Sequence, residues 1–495
     1  MKIIAERVSE LPRLAWLARI NLNSHLINVL HGDFVESGDN HVVEGCWNGR
    51  FENRDFDQSE TFFGSGLRCR ENHVVLVPSR SLTDRVLLAI SPQTTLASNS
   101  LPLILAGMNC KLDLAIDYRP ACHAILAGIR KYSRNIATTS QNYCLEQVFY
   151  RPIQLNASER THISEAPEKR FAQYENYESE LRDTLDQLHT NCQSSARRVP
   201  VASWSALSTG YDSCATAALA AEQGISKSYI TAGGRTLDGL ELEDSRPIAD
   251  ALKLDARIMQ PKIPSAEVER LCLAATYDGR ESIFSTMFDD ALEDNAAGCL
   301  WSGYHGDKIW DRASAEKYLS NELLRGDTSG LNLSEVRLSA GFFNLAVPFI
   351  FARSIRDIVR IANSAQMAEW QVGGNYDRPI PRRIAETRGV PRSLFGIEKK
   401  AAMEYYKGTR NTSLQMEYVK WLQQNNVSTI RRSVSCFIEE FQYRTRRLNA
   451  LGRYTQKLRL RFDPTSTDNL QYLWAVNSCV QKYVKNESVL AFIDS

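Results

Sequence analysis

The apolar run Val201 to Leu207 leads into Ser208-Thr209-Gly210-Tyr211-Asp212-Ser213, and an alanine-rich stretch to Gln223 follows. A strand, a turn of small residues and a helix in immediate succession open a parallel α/β unit. Such a turn lets backbone N–H groups converge on an anion at the helix N-terminus. Ser208 and Ser213 can add hydroxyl donors. Asp212 would repel a phosphate unless a cation stood between them, so the pattern calls for Mg2+. Taken alone, the octapeptide from Ala206 to Ser213 also reads as a helix capped by Ser or Asp after a strand.

The alternation continues downstream. Ser228 to Thr231 reads as a second strand, Leu240 to Leu252 as a second helix, and Cys299 to Trp301 as a third strand. This predicts a parallel sheet with helices on its faces. Upstream, Phe171, Tyr174, Tyr177, Leu181, Leu185 and Leu188 recur at three- and four-residue spacing, one apolar face of a long helix. Residues 1 to about 165 read differently. Short strands such as His73 to Val77 and Val86 to Ile90 alternate with turns, and short helices are expected at Leu101 to Gly107 and Ala121 to Gly128. That is an α+β domain with a substantial sheet. Residues 330 to 495 look mainly helical. Between Arg431 and Arg461 nine Arg and Lys stand against two Glu, which reads as a solvated helix face rather than a phosphate-tracking patch.

Composition excludes several classes. The net charge of +1 offers no general field for nucleic acid. No stretch approaches the roughly 18 apolar residues of a membrane span, and the start lacks a signal-peptide run. The 11 cysteines include no Cys-x-x-Cys pair and no zinc-site spacing, so free, mostly buried thiols in a reducing, cytoplasmic setting are expected.

The octapeptide resembles the Ser-Gly-Gly-x-Asp-Ser loop of the pyrophosphate-loop enzymes, specifically the asparagine synthetases; Gly210 matches the second glycine, and Thr209 replaces the first. Leu300-Trp301-Ser302-Gly303-Tyr304-His305-Gly306-Asp307 is similar to the family's Ser-Gly-Glu-Gly-x-Asp segment. Looser similarities follow in order at Val347-Pro348-Phe349, Arg382 to Glu386, Val390-Pro391 and Glu398-Lys399-Lys400. The resemblance covers about residues 170 to 405.

The resemblance implies a synthetase domain of the adenine-nucleotide α-hydrolase type over residues 166–405. A degenerate glutaminase-like domain of the N-terminal-nucleophile type would precede it at 1–165, and a basic helical extension would follow at 406–495. It implies ATP and Mg2+, with Asp212 and Asp307 as metal ligands. Leu207, Ser208, Gly210, Asp212, Ser213 and Gly303 would hold the nucleotide. Lys399, with Lys400 as its alternative, would meet the phosphates and the developing charge. Tyr304 stands where asparagine synthetases carry Glu and β-lactam synthetases carry Tyr, so it is a candidate catalytic residue; its alternative reading is a wall of the substrate pocket. Its partner is open: Asn344 occupies the position where relatives carry Glu, and Glu335 is near in sequence.

Position 2 is lysine, where the family's glutaminase has its cysteine, and an amine there cannot perform that acyl transfer. The expected activity is therefore AMP-forming activation of a small-molecule or peptide carboxylate, followed by attack of an amine. The alternatives are a relative that uses ammonia, a catalytically decayed nucleotide- or partner-binding protein, and a tRNA-modifying or sulfur-inserting enzyme. Neither a membrane nor nucleic acid is an expected partner.

Overall fold

A computed structural model describes residues 1–22, 24–156, 160–163, 165–235, 241–260, 262–277, 294–374, 376–397, 410–427 and 467–494. Among them, no helix is long and apolar enough to cross a membrane.

The front part, to residue 163, is built on two sheets of seven and six strands. Period-two alternation sends Trp16, Ala18 and Ile20 from one sheet, and Val42, Leu67 and Leu76 from the other, into one shared core. Val86–Ile90 is a strand as expected, and Val74–Val77 fills most of the second expected one. Leu101–Gly107 is a helix whose N-cap, the Ser100 hydroxyl, accepts from the Leu103 amide.

The predicted long helix spans Tyr174–Cys192; five of the six spaced apolar residues lie on it, Phe171 precedes it, and all six are buried. It leads to a five-stranded, wholly parallel sheet. In chain order the strands are Val201–Leu207, Lys227–Ile230, Asp255–Ile258, Ala297–Ser302 and Phe342–Ala346. In space they lie third, second, first, fourth, fifth. The order reverses between the first and fourth strands. In open α/β sheets, ligands bind at the carboxyl edge beside this reversal.

Three expectations need correction. The strand predicted as third is the fourth, because Asp255–Ile258 was not foreseen. The helix expected from Leu240 begins only at Arg246, with Pro247 in its first turn, and Glu241–Leu242 instead pairs with Gly234–Arg235. The stretch after residue 330, read as mainly helical, also supplies the fifth strand.

The two halves are stitched by buried polar groups. The helix Ser334–Ala340 sends Arg337 into the front part, where the guanidinium donates to both Glu44 oxygens (3.0 and 2.9 Å) and to Asp84. Arg337 is 2% exposed. On the same helix, Glu335 accepts from the Leu101 amide (2.9 Å) and the Ser100 hydroxyl (2.7 Å). The helix Thr467–Tyr483 packs on both Leu101–Gly107 and Ala266–Ala275. Its Asn477 and Asn469 side chains satisfy backbone groups of Leu112, Ile116 and Tyr118.

Candidate functional site

Leu207 ends the first strand with its side chain in the apolar core, so it can reach a ligand only through its backbone. The loop after it closes on itself. The Ser208 and Ser213 hydroxyls lie 2.6 Å apart, the Ser208 amide donates to the Ser213 hydroxyl, and the Gly210 amide donates to the Ser208 hydroxyl. Gly210 is the N-cap of the helix Tyr211–Glu222 and offers no side chain to it. Its φ of −75° is ordinary for any residue. A Cβ there would meet nothing closer than the Ser208 hydroxyl at 3.4 Å. The fold therefore does not require glycine at this position, where a Cβ would make ordinary contacts with the Ser208, Tyr376 and Ser213 hydroxyls.

Gly303 and Gly306 are different. They follow the fourth strand and lie directly against Asp212. A Cβ on Gly303 would come within 2.7 Å of the Asp212 carbonyl carbon, and one on Gly306 within 2.3 Å of its Cγ. Packing alone accounts for both glycines. The two predicted segments are thus in contact at the reversal of strand order. His305, between these glycines, adopts a left-handed φ of 69° and sits 4.7 Å from the Phe349 ring. Burial, reinforced by Arg325 and Lys308, holds its imidazole well below the usual value, so it is neutral.

The charges around Asp212 include one that sequence reasoning missed. Arg378, 5% exposed at its side chain, donates to the Asp212 carboxylate at 2.5 Å. Burial opposes the charge on Arg378, but Asp212, Tyr376 and Asp307 sustain it. Asp307 also pairs with Lys308 at 3.0 Å, and Lys308 reaches Asp327 at 3.6 Å. Tyr376, beside Gly210, is pushed up to about 12 by burial and by the Asp212 charge, so it remains a donor. Arg382, from the looser similarities, donates to the Tyr211 hydroxyl at 2.6 Å. Nothing in the local sequence marks Arg378, because its partner lies 166 residues away.

Two carboxylates that share one cation's field are hard oxygen donors of the kind Mg2+ takes, usually together with phosphate oxygens. Asp212 and Asp307 fit that ion by donor type, and in the protein alone Arg378 and Lys308 meet their charge.

Tyr304 is half-buried and packs against an apolar cluster that includes Leu333 and Phe342. Asn344 accepts from the Ser302 hydroxyl at 2.5 Å. Glu335, the other possible partner for Tyr304, is used instead as the buried cap of Leu101–Gly107. Lys399, Lys400 and the basic stretch Arg431 to Arg461 lie outside the described residues. Gly396, three residues before Lys399, donates its amide to the Thr209 carbonyl at 2.8 Å, so the chain approaching Lys399 is anchored on the loop.

A cavity of about 860 Å³ lies elsewhere, between the front sheets and the segments at Glu165 and Arg353. Its charges are largely paired, as in Arg70 with Asp57 and in Glu165 with Arg130 and Arg151. It contains none of the predicted site residues. Comparison with protein-family models and with curated proteins finds no match to the chain.

Proposed function

We propose that the chain is an ATP-dependent carbon–nitrogen ligase that adenylates a carboxylate, releases pyrophosphate and passes the acyl group to an amine. The observation that carries this reading is the meeting of two loops at the reversal of strand order. The loop after the first strand offers a helix N-terminus that no side chain caps, and the loop after the fourth presses its glycines onto Asp212. The Ser208 and Ser213 hydroxyls and the first-turn amides would bind the phosphates. Asp212 and Asp307 would hold Mg2+, which when bound offsets the charge that builds on the departing pyrophosphate. Tyr304 would wall the acyl substrate, and Lys399 would approach the phosphates from the anchored segment. The first cysteine, Cys46, is wholly buried, which supports an amine source other than glutamine hydrolysis in the front part.

The same reading places a pyrophosphate-loop synthetase domain behind a glutaminase-like scaffold. A second reading, nucleotide binding without turnover, draws on one observation: a guanidinium already neutralises Asp212. Pyrophosphate release from ATP and Mg2+, over a panel of amino acids, peptides and β-amino acids, separates the two. Release that needs one acid and is lost in Asp212→Asn supports the ligase. ATP binding by calorimetry with no release over the whole panel sinks it in favour of the second reading.

A further inference from the structure

Three cysteine sulfurs, those of Cys46, Cys192 and Cys299, lie within 4.8 Å of one another, and all three residues are buried. They come from three separate parts of the fold. Cys46 is on the front strand His41–Trp47, Cys192 ends the helix Tyr174–Cys192, and Cys299 is in the fourth parallel strand. Among the described residues no other His, Cys, Asp and Glu side chains form such a group. The backbone beside the cluster is fixed by one cation. Arg197 donates to the carbonyl of Gly45, to the carbonyl of Asn191 and to the Asn191 side chain, the residues just before Cys46 and Cys192. His189 stands one helical turn before Cys192, on the same helix face, and its buried Nδ1 has no hydrogen-bond partner among the described residues.

We propose that Cys46, Cys192 and Cys299 bind one thiophilic, closed-shell metal ion of the Zn2+ class, which ties the front sheets, the connecting helix and the parallel sheet together. The spacing suits it: sulfurs about 2.3 Å from one zinc ion are themselves about 3.8 Å apart. Thiolates select soft metals over Mg2+ and Ca2+. Binding forms three metal–sulfur bonds and releases the three thiol protons to solvent. The resulting site carries one net negative charge, and the Arg197 guanidinium, held on the backbone beside Cys46 and Cys192, is the nearby cation. A tetrahedral set would take its fourth ligand from outside the three sulfurs, since no other His, Asp or Glu ligand atom among the described residues lies within the same group. Because no sulfur reaches solvent, the ion must enter before the halves close. It is a structural clip rather than a catalytic ion, and it does not depend on the ligase reading.

The test uses the full-length protein, purified without a metal-charged resin. Elemental analysis is expected to find one zinc ion per chain, released only on denaturation or thiol modification. Refolding with Co2+ is expected to give thiolate-to-cobalt charge-transfer absorption. Cys192→Ser is expected to hold metal about tenfold less well or worse, whereas Cys144→Ser, at an exposed cysteine outside the cluster, retains it. If Cys192→Ser does not fold, the zinc content and the cobalt spectrum of the unmodified protein decide alone. Less than about one ion per ten chains, both as purified and after refolding with Zn2+ and reductant, would overturn the proposal. A disulfide between any two of the three would overturn it as well.

Discussion

The Arg378 guanidinium donates to the Asp212 carboxylate at 2.5 Å, and Asp307 contributes to the same electrostatic site. A cation from the protein thus stands where the ligase reading needs Mg2+. If the two compete, removing the guanidinium frees the carboxylates for the ion. Arg378→Gln is expected to tighten Mn2+ or Mg2+ binding by about tenfold, the effect of one close unit charge in a partly screened setting. Titration calorimetry checks this. An unchanged Kd would mean that the ion and the guanidinium do not share the site.

Gly210 and Gly306 divide by role. Gly210→Ala places its Cβ at ordinary contact distance with an ordinary φ, so the folded protein is expected to keep its thermal midpoint while losing nucleotide affinity, by about tenfold or more if this helix N-terminus binds phosphate. Gly306→Ala drives a Cβ into Asp212 and is expected to cost about 1–3 kcal/mol of stability. Melting curves paired with ATP titration check both. Full ATP affinity in Gly210→Ala would remove the loop from the binding site.

Histidines in the front part set an acid limit. Burial, with Arg54 and Arg68 nearby, pushes His41 down to about 4, and burial with Arg134 and Arg151 does the same to His162. An unfolded histidine titrates near 6.5. Between those values the unfolded chain binds protons that the folded chain refuses. Stability is therefore complete above about pH 6.5 and falls as the pH drops toward 4, by at most about 1.4 kcal/mol per pH unit for each histidine. Urea midpoints at pH 7.5 and pH 5 measure the slope, and His41→Gln should flatten it. Equal midpoints at the two values would refute the assignment.

Arg337 faces two carboxylates, Glu44 and Asp84, with almost no access to water. Arg337→Met is expected to destabilise the protein by about 3–5 kcal/mol, because it leaves buried carboxylates without a cation. Adding Glu44→Gln and Asp84→Asn should recover part of the loss, since the penalty lies in the stranded charge. Denaturation of the single and triple variants checks the coupling. Strict additivity would argue against it.

Much of the parallel sheet was legible because its first strand and helix carry strong local signals: an apolar run, small residues and an alanine-rich helix. Asp255–Ile258 was hidden because its four residues are mostly polar or exposed. Phe342–Ala346 is a short apolar run that periodicity cannot assign to strand or helix, and it lies in a helical neighbourhood. The two loops of the candidate site were found by motif, each at the end of its strand. Arg378 and the three-cysteine cluster were invisible for one reason. Arg378 meets a residue 166 positions away, and Cys46, Cys192 and Cys299 have no ligand-like spacing along the chain, so only the fold brings them together.

The bond between Arg337 and Glu44 joins residues 293 positions apart, and this gives the chain a timetable during synthesis. At about 5–20 residues per second, the ribosome makes Glu44 roughly 15–60 seconds before Arg337. Until then Glu44 and Asp84 have no guanidinium, and the front sheets must either keep these carboxylates wet or hold them protonated. The nascent front part is thus an unfinished intermediate, open along the face that Ser334–Ala340 will fill.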